Sequence, residues 1–264
     1  MRQENEKNIG IFSRVYADVD TKIFKLVSNL ELAEKPLVRK VISEMIRGIE
    51  VGEIPDSLSE AAVLTSNYPG VGETLRAIMK IGCELPGQEL RLLAIARKEV
   101  VINKNPVLGG FLREAVLPAE KDGTGKYSLG LEYTIRALKH LNKNGVLWLS
   151  PTGNTGGNGL RVEDLRYGVV TFAQKAKVPI VPVGLITDDQ RKIRQVKFGE
   201  AIVLAPLDKV SLFDRDRYLH LSSILVLAKI AALLPPGQRG DFEDTQAIIN
   251  QTEGELAIFN TGSK

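Results

Sequence analysis

Residues 67–73, with the sequence NYPGVGE, bring a phenol and a carboxylate close together beside two glycines. They follow the apolar run AAVLTS and precede a helical pattern. Tyr68 and Glu73 are groups that can exchange protons with a substrate. Backbone N–H groups near Asn67, Gly70 and Gly72, at the start of a helix, favour a bound anion. The alternative is a tight turn that needs glycine for its conformation.

Residues 150–159, SPTGNTGGNG, form a second candidate segment directly after the apolar run VLWL. The glycines would let the backbone approach a ligand closely. No Gly-Lys-Ser/Thr follows, so the segment does not match the phosphate-binding loop of common nucleotide-binding proteins. We expect Thr152, Gly153, Asn154 and Thr155 to contact a ligand; a flexible connector is the alternative.

Composition excludes several functions. The chain of 264 residues has 35 Lys and Arg against 32 Asp and Glu, a net charge of +3, which is too mild to indicate nucleic-acid binding. It has 1 Cys, so no intrachain disulfide forms, and 2 His, too few for a histidine-rich metal site. We therefore predict neither a metal nor a cofactor. His140 and His220 are expected to be a surface and a packing residue.

Short apolar runs alternate with amphipathic stretches from residue 61 onward. Strands are predicted at 61–66, 90–96, 116–117, 146–149, 179–185 and 193–204, and helices at 73–82, 105–115 and 164–177. A further helix, marked by apolar residues from Leu131 to Leu141, is predicted to be capped by Ser128 and to end near Gly145. This alternation predicts an α/β fold with a central, largely parallel mixed sheet flanked by helices. Two prolines in the apolar run 178–183, VPIVPV, should lie at a sheet edge or a bulge.

Three regions follow from these patterns. Residues 1–55 are predicted to be an N-terminal helical hairpin or cap, residues 56–240 the α/β domain, and residues 241–264 a polar C-terminal tail. The apolar stretch 219–234 contains Lys229 and is predicted to be a buried or membrane-surface helix, not a membrane span. The first ten residues lack the apolar core of a secretory signal, which predicts a cytoplasmic protein.

Residues 58–240 resemble the glycerolipid acyltransferases typified by 1-acylglycerol-3-phosphate acyltransferases. The resemblance rests on five segments: RKEVVINKNPVLGGFLREAVLPAEKDG (97–123), VLWLSPTGN (146–154), GVVTFAQKAKVPIVPVGL (168–185), KFGEAIVL (197–204) and AALLPPGQRGDF (231–242). In that family a His-x-x-x-x-Asp motif deprotonates the hydroxyl that attacks an acyl thioester. No metal or cofactor takes part.

This chain departs from the family at the residues that carry the chemistry. Tyr68 and Glu73 stand where the family has histidine and aspartate, and Lys121 where it usually has arginine. In the family's Phe-Pro-Glu-Gly-Thr-Arg block, Thr152 replaces the glutamate and Thr155 the arginine. A positioned general base contributes about 10²–10⁴ in rate, so loss of the histidine matters.

The resemblance therefore implies two alternative functions. The first is a divergent acyltransferase that moves a fatty acyl group from acyl-CoA or acyl-carrier protein to a hydroxyl of a glycerolipid or other polar acceptor. Tyr68 and Glu73 would be its altered catalytic pair. The second is a catalytically inactive homologue that binds acyl chains, lipid or a protein partner. Both imply peripheral contact with a membrane surface.

Overall fold

Eight strands form one mixed sheet in the computed structural model, which describes residues 43–44, 46–84, 92–98, 116–121, 127–152 and 159–261. The strands are β1 (Glu50–Val51), β2 (Ala62–Ser66), β3 (Leu92–Arg97), β4 (Val116–Lys121), β5 (Tyr127–Leu129), β6 (Val146–Leu149), β7 (Ile180–Thr187) and β8 (Ile193–Phe198). Their order is β1-β8-β7-β2-β6-β3-β4-β5. Neighbouring strands are parallel except at β4–β5 and β7–β8. The predicted α/β fold with a largely parallel mixed sheet is confirmed.

Helices cover both faces of this sheet. Within the described residues they are α1 (Val71–Glu84), α2 (Leu131–Leu141), α3 (Gly168–Ala176), α4 (Arg215–Ala232) and α5 (Thr245–Thr261). Helix α1 packs with residues 46–58 in one hydrophobic core cluster, and helices α2 to α5 contribute to the other. The predicted helix at 105–115 lies outside the described residues.

Strand β2 lies at the centre of the sheet and is buried along its whole length. Ala62 and Leu64 belong to the core on the α1 face, whereas Val63 belongs to the core on the opposite face. A strand with helices on both faces reads as an unbroken apolar run because alternate side chains enter two different cores. This explains why AAVLTS shows no polar alternation.

Pro182 lies in the interior strand β7, at an irregularity of its pairing. Ile180 pairs with Ile202, and Val183 pairs with Phe198. Residues 180–183 of β7 thus lie opposite residues 198–202, so the 198–202 segment has one extra residue and forms a bulge. Pro182 has no backbone N–H, so its nitrogen leaves no donor unpaired at this bulge. Its carbonyl accepts the Gly199 N–H at 2.8 Å. Of the two predicted locations, the bulge is confirmed for Pro182.

The N-terminal region is only partly described. Residues 1–42 of the predicted hairpin lie outside the described residues. Glu50 and Val51, placed by the prediction in the helical region, instead form β1 and pair in parallel with Gln195 and Val196. The boundary at residue 55 is therefore wrong in the structure, since the sheet already includes residue 50. A two-residue strand is too short to show a periodic pattern in sequence.

The segment predicted to be a polar tail is a helix. Helix α5 packs along α4, and it buries Ile249, Thr252 and Leu256. Phe242, just before α5, is 1% exposed. The prediction of a tail was wrong because the region is rich in polar residues, and its few apolar side chains are buried against α4 only in the folded chain.

Helix α4 covers most of the apolar stretch 219–234 singled out in the sequence and begins four residues before it. Ten of its residues are buried, among them Leu225, Val226 and Leu227. It contacts β7 and α3 on one side and α5 on the other. No helix in the described ranges is both long enough and apolar enough to cross a bilayer.

Candidate functional site

A cleft of about 420 Å³ opens at the carboxyl ends of β2, β3 and β6, where parallel α/β sheets commonly bind ligands. Residues of α2 and α3 line it, and so does Tyr68. Its larger aliphatic and phenyl side chains, called the apolar floor below, are Ile95, Leu129, Leu149 and Phe172. Three cationic side chains also line it: Arg97, Arg166 and Lys175. Its volume is in the usual range of small-molecule sites.

Tyr68 is the residue from the first candidate segment that the structure places in this cleft. Burial raises the pKa of Tyr68 to about 12, and the nearby positive charge of Arg97 only partly opposes that effect. At pH 7 roughly one molecule in 10⁵ would carry a tyrosinate at that pKa. The side chain is therefore a neutral hydroxyl, which can donate or accept a hydrogen bond.

Arg97 ends β3 and stacks on an aromatic ring of the neighbouring hairpin. Its guanidinium carbon lies 4.5 Å from the ring centroid of Tyr127, and Lys121 Nζ lies 5.6 Å from the same centroid. Such cation–π contacts hold a cation over the face of the ring. Tyr127 and Arg97 line the cleft, whereas Lys121 is exposed at the end of β4. Lys121, which was predicted to bind the ligand, therefore does not line the cleft, although it contacts Tyr127, which does.

Arg166 enters the cleft from the segment before α3. Its backbone N–H donates to Pro151 at 2.9 Å, and one terminal nitrogen donates to the Leu165 carbonyl at 2.9 Å. The Nε atom is buried, and no acceptor among the described residues is within hydrogen-bond distance of it. A buried donor without an acceptor is costly. Arg166 therefore contributes its positive charge to the cleft that it lines.

Thr152 is the second predicted residue that lines the cleft. It bridges to Leu165, and its hydroxyl lies 3.2 Å from the Ser150 hydroxyl. Gly153, Asn154 and Thr155 lie outside the described residues. The structure thus brings Tyr68 and Thr152 to one cleft from two candidate segments that are separate in sequence.

Glu73 is not among the residues that line the cleft. Its carboxylate accepts two contacts from Arg76 Nη1, at 2.8 and 3.0 Å, and the backbone N–H of Ile193 at 2.7 Å. These contacts connect the first turn of α1 to the start of β8. The side chain that was predicted to partner Tyr68 therefore has structural partners on a different element.

Asn67 also has a structural role. Its amide nitrogen donates to the Leu185 carbonyl at 2.9 Å, and its amide oxygen accepts the Leu185 N–H at 2.7 Å. Two bonds to one backbone residue extend the β2–β7 pairing beyond the end of β2. Gly70 has a φ of +140°, which few residues other than glycine adopt, and Gly72 lies in the first turn of α1. Neither glycine lines the cleft.

Neither histidine lines the cleft. His140 Nε2 donates to the Val146 carbonyl at 3.2 Å, and its ring packs over Gly145. His220 is exposed, and its Nδ1 lies 3.4 Å from the hydroxyl of Tyr167, which does line the cleft. In the part of the chain that the structure describes, no group of three or more His, Cys, Asp and Glu side chains is arranged to hold a metal ion.

Sequence reasoning missed Arg97, Tyr127, Arg166 and Lys175. One signal was available for Arg97, since it directly follows the predicted strand at 90–96, and a cation there lies at the ligand-binding edge. The other three come from a short hairpin strand, a loop and the exposed side of a helix. Their types and spacing match no local pattern.

Comparison of the sequence with protein-family profiles gave no match, and no curated protein is significantly similar to it. The functional argument therefore rests on the geometry of the cleft and on the residues that line it.

Proposed function

We propose that this chain is a divergent acyltransferase-like protein whose cleft binds an amphiphile that carries both an acyl chain and an anionic group. The observation that carries the proposal is the combination of an apolar floor with the cations Arg97, Arg166 and Lys175 in one cleft. Apolar side chains would bury hydrocarbon, and each buried CH₂ contributes about 0.8 kcal/mol. The cations would select a phosphate or carboxylate.

Arg166 is the best-supported contact for the anion. It lines the cleft, and its backbone N–H is bonded to the Pro151 carbonyl, so its guanidinium would attract an anion and donate a charge-assisted hydrogen bond. Arg97 would add a second charge, held in orientation by the Tyr127 ring. This arrangement fits a glycerol phosphate that carries a fatty acyl chain, or an acyl thioester of a phosphorylated carrier. Both belong to the ligand class that the acyltransferase resemblance implies.

Binding is better supported than catalysis by the proton chemistry of the cleft. The high pKa of Tyr68 makes it a poor base at pH 7, and Glu73 binds Arg76 and Ile193 instead of Tyr68. Among the residues that the structure describes, no carboxylate lines the cleft. These observations favour the alternative in which the fold is kept for ligand binding.

Equilibrium binding measurements test the proposal. Purified protein would be titrated by calorimetry with 1-oleoylglycerol 3-phosphate, palmitoyl-CoA and the uncharged 1-oleoylglycerol, each below its micelle concentration. We expect the two anionic ligands to bind at least tenfold more tightly than the uncharged one. Arg166→Gln should weaken the anionic ligands about tenfold and leave the uncharged ligand unchanged.

Lys143→Gln is the matched control, because Lys143 is exposed in the turn after α2 and does not line the cleft. It removes the same charge and should change no affinity. Equal affinity for charged and uncharged ligands, or an equal effect of both substitutions, would contradict the proposal.

Acyl transfer is the second candidate function, and the position of Tyr68 favours it. This side chain lies in the cleft where the resemblance places the catalytic histidine. As a neutral hydroxyl it would donate a hydrogen bond to the thioester carbonyl oxygen and stabilise the developing negative charge. The acceptor oxygen would attack the carbonyl carbon, the new C–O bond would form, and the C–S bond would break. The acceptor's proton would pass through water to the leaving thiolate.

Mass spectrometry of protein with palmitoyl-CoA and 1-oleoylglycerol 3-phosphate distinguishes the two candidates. Turnover by the natural chain that falls at least tenfold in Tyr68→Phe would establish acyl transfer. Ligand binding without turnover would leave binding as the function. Turnover that appears only in Tyr68→His would show a site that lacks nothing but its base.

A further inference from the structure

The connector between α4 and α5 runs directly against the chain that follows the glycine-rich segment. Gly159 and Gly240 face each other. A Cβ on Gly159 would overlap the backbone of Gly240, and a Cβ on Gly240 would overlap the backbone of Leu160. Gly240 also has a φ of +63°, which side-chain-bearing residues rarely adopt. This contact needs glycine in both segments.

Asp241 joins the two segments by hydrogen bonds next to this contact. Its backbone N–H donates to the Leu160 carbonyl at 2.9 Å, and its carboxylate Oδ2 accepts the Val162 N–H at 3.0 Å. The two bonds run in opposite directions between the same pair of segments. A bond from a backbone N–H to a carboxylate is charge-assisted and stronger than a neutral one.

The fastened segment leads straight into the cleft. A short 3₁₀ turn at Val162–Asp164 follows Leu160, after which Leu165 bridges to Thr152 and Arg166 N–H donates to Pro151. Arg166 and Tyr167 then line the cleft. Asp241 itself does not line the cleft, yet its partner Val162 is only four positions before Arg166.

We propose that Asp241 is a positioning residue for Arg166, and that the α4–α5 connector thereby sets the affinity of the cleft for the anionic part of its ligand. The inference rests on the proposed binding function and assigns to it a residue outside the cleft. Releasing Val162 would let the 162–167 segment shift, so the guanidinium would no longer be held toward the ligand. The apolar floor would be unaffected because its side chains come from strands β3 and β6, the hairpin strand β5 and helix α3.

A double-mutant cycle tests this role. The affinity for 1-oleoylglycerol 3-phosphate would be measured in the wild type, Asp241→Ala, Arg166→Gln and the double variant, at several salt concentrations. We expect Asp241→Ala to weaken binding about tenfold, to reduce the salt dependence as Arg166→Gln does, and to add less than a twofold loss in the Arg166→Gln background. A general loss of stability would not remove the salt dependence selectively.

Matched controls accompany the cycle. Glu243→Ala changes an exposed carboxylate two residues away and should leave the affinity unchanged. Gly240→Ala should weaken binding or prevent folding, whereas Gly237→Ala should do neither, because a Cβ there meets no atom within 4 Å. Hydrogen exchange of the Val162 amide should accelerate at least tenfold in Asp241→Ala.

The outcomes separate the two ideas. No binding of the anionic ligand by the wild type would overturn the proposed function and this inference together. Normal wild-type binding with fully additive losses in the cycle, or an Asp241→Ala variant that binds like the wild type, would overturn the inference alone.

Discussion

Glu73 accepts the backbone N–H of Ile193 at 2.7 Å, a contact that joins the first turn of α1 to the first residue of β8 across 120 positions of sequence. The same carboxylate is held by Arg76 Nη1 at 2.8 Å, and both side chains of this pair are about one-fifth exposed. The carboxylate is thereby used for tertiary structure. This is why Glu73 is absent from the cleft that Tyr68 lines.

Replacing this carboxylate should affect stability more than ligand binding. Glu73→Gln would weaken the ion pair and the bond to Ile193, and we expect the free energy of unfolding to fall by about 1–3 kcal/mol. Chemical denaturation measures this change. Glu53→Gln, at an exposed carboxylate, is the control and should cost less than about 0.5 kcal/mol. Unchanged stability with a lost cleft function would instead restore Glu73 as a partner of Tyr68.

The raised pKa of Tyr68 makes stability fall in alkaline solution. The folded value is about 12 against an ordinary value of 10.0, because burial disfavours the tyrosinate. The stabilisation is fully present below pH 10 and is lost as the pH rises toward 12, since the unfolded chain ionises first. By pH 11 the wild type should lose about 1.4 kcal/mol more than Tyr68→Phe.

Urea denaturation at pH 9 and pH 11 of the wild type and Tyr68→Phe measures this difference directly. Comparing the two proteins cancels the titration of the other tyrosines and of the lysines. Parallel pH profiles for the two proteins would show that Tyr68 is not desolvated in the folded chain.

The C-terminal helix should be part of the cooperative fold. Phe242 is 1% exposed beside α5, so Phe242→Ala should lower the free energy of unfolding by about 3–5 kcal/mol. Phe213→Ala is the matched control, because Phe213 is 99% exposed and the same substitution there should cost under about 0.5 kcal/mol. Equal small effects at both positions would mean that residues after 240 do not stabilise the sheet domain.

Gly145 is required by the ring of His140. A Cβ at Gly145 would lie 2.6 Å from His140 Cε1, so the ring must move and release the Val146 carbonyl. Gly145→Ala should cost about 1–2 kcal/mol by loss of that hydrogen bond and by overpacking. In a His140→Ala background the same change should cost less than about 0.5 kcal/mol. Thermal or chemical unfolding of the four proteins gives the coupling; a penalty that persists without the ring would contradict this explanation.

Local sequence patterns were sufficient for the elements whose burial is periodic. The apolar repeat from Leu131 to Leu141 predicted helix α2, although its N-cap is Gly130 and not Ser128, and VLWL predicted β6. The prolines of the run 178–183 predicted a sheet edge or a bulge, and the pairing at Pro182 is irregular. The two-residue strand β1 and helix α5 escaped prediction because their stability comes from β8 and α4, which are distant in sequence.

The sequence by itself determined an α/β sheet and placed Tyr68 and Thr152 at its ligand-binding edge, because each follows a buried strand and parallel strands end at one edge. Only the tertiary structure decided which side chains join them. Arg97, Tyr127, Arg166 and Lys175 converge there from four separate elements, while Glu73 and Asn67 bond to strands β8 and β7. Side-chain direction depends on long-range backbone partners, and local spacing carries no information about those partners.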